Sequence, residues 1–535
     1  MKDYAGTGEL LRLALRLDRV RASVWIVGMV IFTVASASAN NDLYDTASER
    51  ATFAESVESN PALLALGGRA FDLSTTGGIN AYQLIAFMGT LIGLMSILLV
   101  VRHTRLEEES GRAELAGSAV LGRKAWLASG LLLTIGVNVV IAVLTALGLI
   151  GTGLSAGGSI AYALGVAGIG VFFAFVGGLA AQLTDASRSA IGIASAVLGA
   201  SYLLRAAGDA ASGTDGGPMA NLTWLSPIGW AEMARPWADE RWWVLLVFVA
   251  GVAALVVGIG ALVGRRDIGS GVLKPKLGPV SASAGLRSPL ALAWRLQRGS
   301  LLGWGLGFVV VGAAFGALAE GTVSIAEDNP DIDQLLRDLG GSGDIVDVFL
   351  ATIISLTAVI VGAYAVQSAL RLAAEESGHR ADPVLTTPVR RLAWAGSHLT
   401  VAAVGTVLML GLAGAAAGLA HGLNSGDLGE VGSVTGAALA QVPAVWTLIG
   451  VCALLFGLLP RYTAVSWAVL LVALVIGQFG DLLKLDQMVL NLSPFSHVPD
   501  LPGGAFDATP LLLLLAVAAA LTGAGLAGLR RRDMA

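Results

Sequence analysis

The sequence predicts an all-α integral membrane protein with 12 transmembrane helices, arranged as two tandem six-helix repeats with short extracytoplasmic helices. Three observations predict this class: an apolar composition, hydrophobic stretches of membrane-spanning length, and an internal duplication. Of the 535 residues, 55% are hydrophobic and only 13% are charged, whereas soluble globular domains carry about 25% charged residues. The composition therefore excludes a soluble globular domain.

Hydrophobic stretches of about 20 residues are long enough to cross a hydrocarbon core of about 30 Å at 1.5 Å per residue. The chain contains six of them in each half. In the first half they lie at 22–39, 81–101, 125–150, 159–183, 190–206 and 242–264. In the second half they lie at 300–319, 346–367, 393–420, 437–459, 464–482 and 509–529. An even number of spans places both termini on the same side of the membrane.

Two short motifs recur at one spacing. Glu-Glu-Ser-Gly at 108–111 returns at 375–378, and Leu-Ser-Pro at 225–227 returns at 492–494, both 267 residues later. Such a repeat indicates a duplicated structural unit. The predicted organisation is a first six-helix transmembrane half at 1–268, a cytoplasmic linker at 269–288 and a second six-helix transmembrane half at 289–535.

Basic residues predict the orientation, because Lys and Arg concentrate in cytoplasmic loops. Placing both termini in the cytoplasm puts 26 of the 33 Lys and Arg residues on that side. The Arg-, Ala- and Gly-rich composition is typical of a GC-rich bacterial genome. We therefore predict a multi-pass protein of the bacterial plasma membrane with cytoplasmic termini. The first hydrophobic stretch could be a cleaved signal peptide. Its counterpart in the second half contains Trp304 and is an internal span, which cannot be a signal peptide, so a retained helix is predicted.

A basic amphipathic stretch precedes the first span of each half, Leu10 to Arg21 and Ala291 to Arg298. Such a stretch can be a helix lying at the headgroup boundary or only a positive flank that fixes topology, and both readings stay open. After the first span, Asn-Pro begins and Gly-Gly ends a leucine-rich segment, at 60–68 and again at 329–341. Asn caps, Pro at the first helical position and Gly at the end predict a short outer helix in each half, which could act as a gate.

The loop after the second span of each half carries paired acidic residues and then two basic residues. We expect these carboxylates to be solvated, which argues against acid/base catalysis because nothing would shift their pKa. A docking surface for a cytoplasmic partner and a plain topogenic loop remain as alternatives. Leu-Ser-Pro, after the fifth span, predicts a helix break and a new cap in an outer connection.

The sequence lacks the residues that redox chemistry, metal binding, catalysis and ATP binding require. Cys452 is the only cysteine, the five histidines are scattered without metal-ligand spacing, and no apolar span holds a catalytic constellation. No Gly-Lys pair occurs, so the chain has no Walker A loop. We expect no catalytic residue, no metal site, no cofactor and no nucleic-acid partner for this chain.

The duplicated acidic loop with its Arg-Lys or Arg-Arg, the long first outer loop and the Leu-Ser-Pro near the last span resemble ABC transporter permeases of the ABC-2 (type V) exporter class. The duplicated chain most resembles the actinobacterial polyketide-antibiotic exporter permeases of the tetronasin-resistance type. The resemblance covers nearly the whole chain. It departs at one place, where the second loop has Asp382-Pro383-Val384 and the first has Leu115-Ala116-Gly117, so the two loops are not equivalent.

The resemblance implies an export permease for hydrophobic or amphipathic small molecules such as antibiotics, driven by a separate cytoplasmic ABC ATPase subunit. Two copies of that subunit would dock, and ATP and Mg would bind there. The implied ATPase-coupling positions are Glu108, Glu109, Gly111, Arg112 and Glu114 in the first loop, and Glu375, Glu376, Gly378, Arg380 and Asp382 in the second. The second and fifth spans of each half would line the path, with Met88, Met95, Tyr202, Tyr364 and Phe479 as candidate substrate contacts.

Two other functional classes fit the sequence less well. An ion-coupled secondary drug transporter also often has twelve spans in two repeats, but ion coupling usually needs carboxylates within the membrane. Here Asp209 and Asp481 lie only near span ends. An intramembrane enzyme is disfavoured because its catalytic side chains are missing.

Overall fold

The computed structural model describes residues 2–58, 61–112, 121–212, 217–264, 270–273, 280–319, 345–479 and 486–533. Throughout these residues the secondary structure is helical, and strands do not occur among them. The chain divides into two compact units, Met1–Gly278 and Pro279–Ala535.

Nine helices build the first unit. They are α1 (Thr7–Leu43), α2 (Ala47–Glu58), α3 (Pro61–Gly67), α4 (Thr76–Val101), α5 (Ala125–Gly151), α6 (Ala156–Leu183), α7 (Ser187–Ala210), α8 (Pro227–Met233) and α9 (Leu245–Val263), counted over its described residues and apart from 3-10 turns, the π-helical turn at 102–106 and the three-residue turn at 107–109. The predicted outer helix at 60–68 is present as α3, preceded by α2, which the sequence did not indicate.

Ten helices build the described part of the second unit. They are α10 (Pro289–Leu318), α11 (Ile345–Ala369), α12 (Arg371–Ser377), α13 (Asp382–Leu385), α14 (Arg391–Ser425), α15 (Glu430–Ala440), α16 (Val442–Leu458), α17 (Val465–Phe479), α18 (Gln487–Leu490) and α19 (Ala508–Arg531). The second predicted outer helix, at 329–341, lies outside the described residues.

Eleven helical segments of the described chain are long and apolar enough to cross a membrane. Six belong to the first unit, namely α1, α4, α5, α6, α7 and α9 extended to Trp242, and five to the second, namely α10, α11 extended to Ser377, α14, α15 with α16, and α19. The twelfth predicted span corresponds to α17, which is apolar but only 15 residues long, or about 22 Å at 1.5 Å per residue. The protein is thus an all-α multi-pass membrane protein, and the count of twelve stays a prediction.

The two units share a pattern of helix packing. In each, the first span packs on the third, the second on the fourth and the fourth on the sixth, as in the pairs α1–α5, α4–α6 and α6–α9 of the first unit and α10–α14, α11–α16 and α16–α19 of the second. The second span also contacts the fifth, α7 in one unit and α17 in the other. Apolar side chains of the second and fourth spans dominate the core of the first unit, and those of the second, third and fourth spans dominate the core of the second unit.

The basic amphipathic stretches are not separate helices. Residues 10–21 form the first turns of α1, and residues 291–298 form the first turns of α10, each continuous with the span that follows. The positive-flank reading therefore fits the structure better than an independent surface helix. Because α1 is one continuous helix, Asp18 lies beside the end of α4, and its side chain is fully buried there.

Small residues allow α10 and α14 to approach closely. An ideal Cβ built on Gly312 would lie 2.3 Å from the Ala413 carbonyl oxygen, and one on Gly316 would lie 2.0 Å from that of Ala417. This spacing of four residues on both helices is the small-xxx-small pattern that brings membrane helices into backbone contact.

Candidate coupling turns and buried charge networks

The first acidic loop begins as a distorted continuation of the second span. A π-helical turn covers Arg102–Leu106, a helical turn covers Glu107–Glu109, and Gly111 follows in the left-handed region at φ +73°. Single π-helical turns are frequent at functional sites. We call residues 102–112 the first acidic turn.

Arg105 anchors this turn and is fully buried. Its Nε and Nη2 donate to the Ala181 carbonyl near the end of α6, at 3.2 and 2.8 Å, and Nη2 also reaches the Ser270 carbonyl at 2.9 Å. Its Nη1 donates to Glu108 Oε2 at 2.7 Å. A cation at the carbonyl end of a helix also interacts favourably with the helix dipole, so Arg105 ties the turn to α6.

Glu109 connects the same turn to the fifth span. Its Oε2 accepts a hydrogen bond from the backbone N–H of Ser187, the first residue of α7, at 3.0 Å. The first N–H groups of a helix have no intrahelical partner, and a carboxylate there caps them and complements the dipole. Movement of the turn would therefore pull on α7.

The second acidic turn, residues 371–382, makes different connections. Glu375 pairs with Arg371 at 2.8 Å and with Arg380 at 3.1 Å. Glu376 receives two hydrogen bonds from Arg532, which follows the last span α19, at 2.8 and 2.5 Å. The second turn is thus held to the sixth span, whereas the first is held to the fourth and fifth.

The expectation that these carboxylates are solvated is wrong for most of them. Glu107, Glu375 and Glu376 are buried, with relative exposures of 5–7%, and Glu108 faces buried Arg105. Each is close to an arginine, which supplies the charge-assisted hydrogen bonds that burial demands. Acidic and basic residues alternate in these segments, and that pattern is the same for a folded ion-pair cluster and for an open loop, so the sequence alone could not tell them apart.

Exposed charge at the two turns comes from other side chains. Arg112, His379, Arg380 and Asp382 are at least half exposed, although each also has an ionic neighbour. Gly378 lies between the buried and exposed groups. Glu114 and the Leu115-Ala116-Gly117 segment lie outside the described residues.

Each unit has a buried polar junction between its first and second spans. Asp18 of α1 contacts Arg102 Nε at 3.0 Å and His103 Nε2 at 2.5 Å. In the second unit the corresponding residue is Gln297, which follows Asp18 by 279 residues. Its Oε1 accepts a hydrogen bond from the Ser368 hydroxyl, and its Nε2 lies 3.3 Å from His398 Nδ1. The junction is ionic in one unit and neutral in the other.

The other end of α7 carries a buried charge network. Arg205 and Asp209 are fully buried, and Glu232 of α8 is 3% exposed. Arg205 Nη1 lies 3.1 Å from Glu232 Oε1 and 3.4 Å from Asp209 Oδ2, and Arg69 Nε lies 3.2 Å from Asp209 Oδ1. Thr223 also donates to Asp209 Oδ1 at 2.7 Å.

This network holds the outer helix α3 in place. Arg205 Nη2 donates to the Ala65 carbonyl at 2.7 Å and to the Leu66 carbonyl at 3.2 Å. Gly68, at φ +122°, ends α3 against Glu232, and a Cβ at that position would lie only 2.7 Å from Glu232 Oε1. Both the left-handed backbone and the close approach require glycine here.

Burial, and next the nearby Asp209 carboxylate, raise the pKa of Glu232 well above its ordinary value of 4.5. Arg205 opposes this rise but does not cancel it. Burial therefore favours the protonated form of the Glu232 carboxyl.

The candidate substrate contacts do not share one cavity. Met88 and Met95 are buried in the core of the first unit, and the cavity beside Met88 has a volume of about 10 Å³, room for about one water. Tyr202 donates to the Leu66 carbonyl at 3.4 Å, beneath the Arg205 guanidinium. Tyr364 is buried in the second unit against Trp304. Phe479 is the last residue of α17, and its side chain lies outside the described part of the structure.

Sequence reasoning missed three features: Asp18 at its junction, the Arg205–Glu232 network, and a large cavity at the start of α10. Arg205 and Asp209 are spaced i,i+4 at the end of a hydrophobic stretch, a pattern that could have indicated a buried ion pair. Glu232 and Arg69 are too distant in sequence to be assigned to that pair without the fold.

The comparisons with known proteins bear on this arrangement. A family model described as the C-terminal domain of the multidrug efflux system permease Rv1217c matches residues 8–265 and 286–530. The chain belongs to this family. It is 41% identical, over 534 residues, to the multidrug efflux system permease protein Rv1217c of Mycobacterium tuberculosis, covering 99% of this chain and 96% of that protein. The two matched segments of this efflux permease family correspond to the two structural units.

Proposed function

We propose that this chain is the transmembrane permease subunit of an ATP-driven ABC exporter of the ABC-2 class, carrying hydrophobic or amphipathic small molecules out of the cell. The observation that carries the proposal is the 41% identity to a multidrug efflux permease along nearly the full length of both chains. With no Walker A loop in its sequence, the chain would depend on a separate ATP-binding subunit, of which two copies would bind.

The two acidic turns are the proposed docking sites for those subunits. Both follow the second span of their unit, and both present exposed charges beside buried ion pairs that hold the turn to other spans. A force applied to the first turn would reach α7 through Glu109, and through α7 the network at Arg205. Opening of α3, the outer helix, is the proposed response.

The test must change exposed charge without breaking a buried ion pair. Reversal of Glu108 would place a lysine beside buried Arg105, so loss of coupling in that variant could not be separated from unfolding. The better variant is Asp382→Lys in the second turn, because Asp382 is 55% exposed and its partner His379 is 74% exposed. We expect co-purification of the ABC ATPase and drug-stimulated ATP hydrolysis to fall, each exposed charge contributing up to about 1 kcal/mol.

Glu55→Lys is the matched control, because Glu55 is an exposed residue of α2 in the predicted extracytoplasmic segment. This variant should retain the ATPase at the wild-type level. Full ATPase retention and export by the Asp382→Lys permease would show that the second turn is not a docking site.

Ion-coupled drug transport is the second candidate, and one observation favours it: Asp209 and Glu232 are buried carboxylates next to a span. Export from energised cells separates the two candidates. An ABC exporter should stop when ATP is depleted and continue when the proton gradient is collapsed, whereas the opposite result would identify a proton-coupled transporter.

A further inference from the structure

The second unit contains a cavity of about 630 Å³ at the start of α10. Small-molecule sites typically measure about 300–1,000 Å³, so this cavity is large enough for a substantial part of a ligand. Its walls come from the residues just before α10, from the first turns of that helix and from one turn of α14.

The lining combines two kinds of surface. Leu290 and Trp294 of α10 and Val401 and Val404 of α14 provide an apolar wall. Arg295 and Arg298, one helical turn apart, provide positive charge, and among the described residues no aspartate or glutamate lines the cavity. Neither arginine has an ion-pair partner within the described part of the chain.

The position of the cavity along the span matches the lipid headgroup region. Its α10 side lies at residues 283–298, immediately before the hydrophobic stretch that begins at 300, and its α14 side lies at residues 400–404, within the predicted span 393–420. Trp294 is 47% exposed. Tryptophan and arginine at the end of a span are typical of the membrane–water interface. Basic pockets between helices at this depth bind anionic headgroups.

We propose that this cavity binds one anionic phospholipid, with the phosphate at Arg295 and Arg298 and an acyl chain along Leu290, Val401 and Val404. Charge complementarity selects the anionic headgroup, and the apolar wall selects a lipid over a free anion. The site does not depend on an ATPase partner, so its test is independent of the proposed transport function.

The first unit offers a matched control. Arg16 and Arg19 precede Arg295 and Arg298 by the same 279 residues, are also exposed, and also have no ion-pair partner in the described chain. They do not line this cavity. Substituting them removes the same charge from the corresponding place in the duplicated sequence.

The experiment is native mass spectrometry of the purified full-length permease, titrated with phosphatidylglycerol or phosphatidylcholine. Wild type should bind one phosphatidylglycerol more tightly than phosphatidylcholine. Arg295→Gln with Arg298→Gln should weaken phosphatidylglycerol binding about tenfold, or about 1.4 kcal/mol, whereas Arg16→Gln with Arg19→Gln should leave it within about twofold of wild type.

A second variant tests the cavity itself. Val404 is 48% exposed, so Val404→Trp should fold while filling the space that the acyl chain needs, and it should also weaken phosphatidylglycerol binding. Thermal unfolding in detergent verifies that each variant is folded. If both double-arginine variants lost the same amount of phosphatidylglycerol affinity, the lipid would be attracted by surface charge in general, and the proposal would be overturned.

Three further outcomes would also overturn it. Unchanged binding by Val404→Trp would mean that the cavity is not occupied. Displacement of the lipid by millimolar inorganic phosphate would identify a free-anion site. Displacement by an exported drug in wild type but not in Val404→Trp would identify the cavity as a cargo site.

Discussion

The carboxylates of this protein fall into two energetic classes. Exposed pairs such as His379 with Asp382 contribute about 0–1 kcal/mol. The buried pair of Arg205 with Asp209 is different, because removing one partner leaves an uncompensated buried charge at a cost of about 3–5 kcal/mol. Substitutions at the same residue type should therefore have very different effects.

Glu232→Gln tests whether Glu232 holds a proton in the folded protein. Glutamine resembles the neutral acid, so the variant should unfold within about 0.5 kcal/mol of wild type near pH 5. Because the raised pKa means that the folded state holds the proton more tightly than the unfolded chain, wild type should lose stability as the pH rises above about 4.5. The variant should lack this loss. Thermal unfolding in detergent from pH 5 to 8 measures both.

Arg205→Gln is the contrasting variant at the same site. It should lose about 3–5 kcal/mol at any of these pH values, since it leaves Asp209 without its buried cation and removes two hydrogen bonds to α3. A Glu232→Gln protein with the same pH profile as wild type would contradict a protonated Glu232.

At the scale of elements, α7 is the connection between the two ends of the first unit. It starts at the Glu109 carboxylate and ends in the Arg205 and Asp209 network. Its 24 residues span about 36 Å. Hydrogen-bonded anchors at both ends make it suited to transmit displacement.

Glu109→Ala should release the start of α7. Loss of a capping acceptor typically costs about 0.5–2 kcal/mol, so the first turn of α7 should exchange amide hydrogens several-fold faster, as measured by hydrogen–deuterium exchange with mass spectrometry. Glu109→Gln retains an acceptor oxygen and should remain closer to wild type. Unchanged exchange at residues 187–190 in the alanine variant would show that the hydrogen bond does not hold the helix.

Gly316→Ala should disrupt the contact between α10 and α14. The added methyl would meet the Ala417 backbone at 2.0 Å, and overpacking of this kind typically costs about 1–3 kcal/mol. Gly303→Ala, in the same helix with nothing within 4 Å of its Cβ, is the control and should be neutral or slightly stabilising. Comparison of the two unfolding temperatures measures the difference, and equal temperatures would refute the close contact.

For the whole molecule, the repeated packing pattern contrasts with unequal chemistry. The first unit has Asp18, Arg205 and Asp209 buried at its junctions, whereas the second has Gln297 at the position of Asp18 and no charged residue anywhere in α17. The two units share an arrangement of apolar helices but not the polar groups placed on it. We therefore expect substitutions at equivalent positions of the two units to have unequal effects.

Topology is the prediction that belongs to the whole chain. Reporter fusions after residues 70, 115, 275 and 535 should report outside, inside, inside and inside, because 26 of the 33 basic residues then face the cytoplasm. The mature protein should also retain its first helix. An N-terminus near Asn40, or an inside signal at residue 70, would contradict this topology.

Most helices were predictable because each depends on local composition. The predicted stretch 125–150 corresponds to Ala125–Gly151, and the Asn-Pro and Gly-Gly signals correctly indicated α3. A helix at residues 10–21 was one of two readings of the sequence, and neither reading included its continuity with the first span. The charged residues there hid this continuity, since Asp18 is acceptable in a span only because Arg102 and His103 meet it.

The sequence by itself determined that this protein is a helical membrane protein, because the length of each hydrophobic stretch can be compared with the bilayer thickness from local sequence alone. Only the tertiary structure decided which charges are buried, since a partner such as Arg532 for Glu376 lies 156 residues away. The same limit applies to the cavity at α10, whose walls come from segments about 100 residues apart. Apolar burial follows from composition, whereas ion pairing and cavity shape depend on contacts between distant parts of the chain.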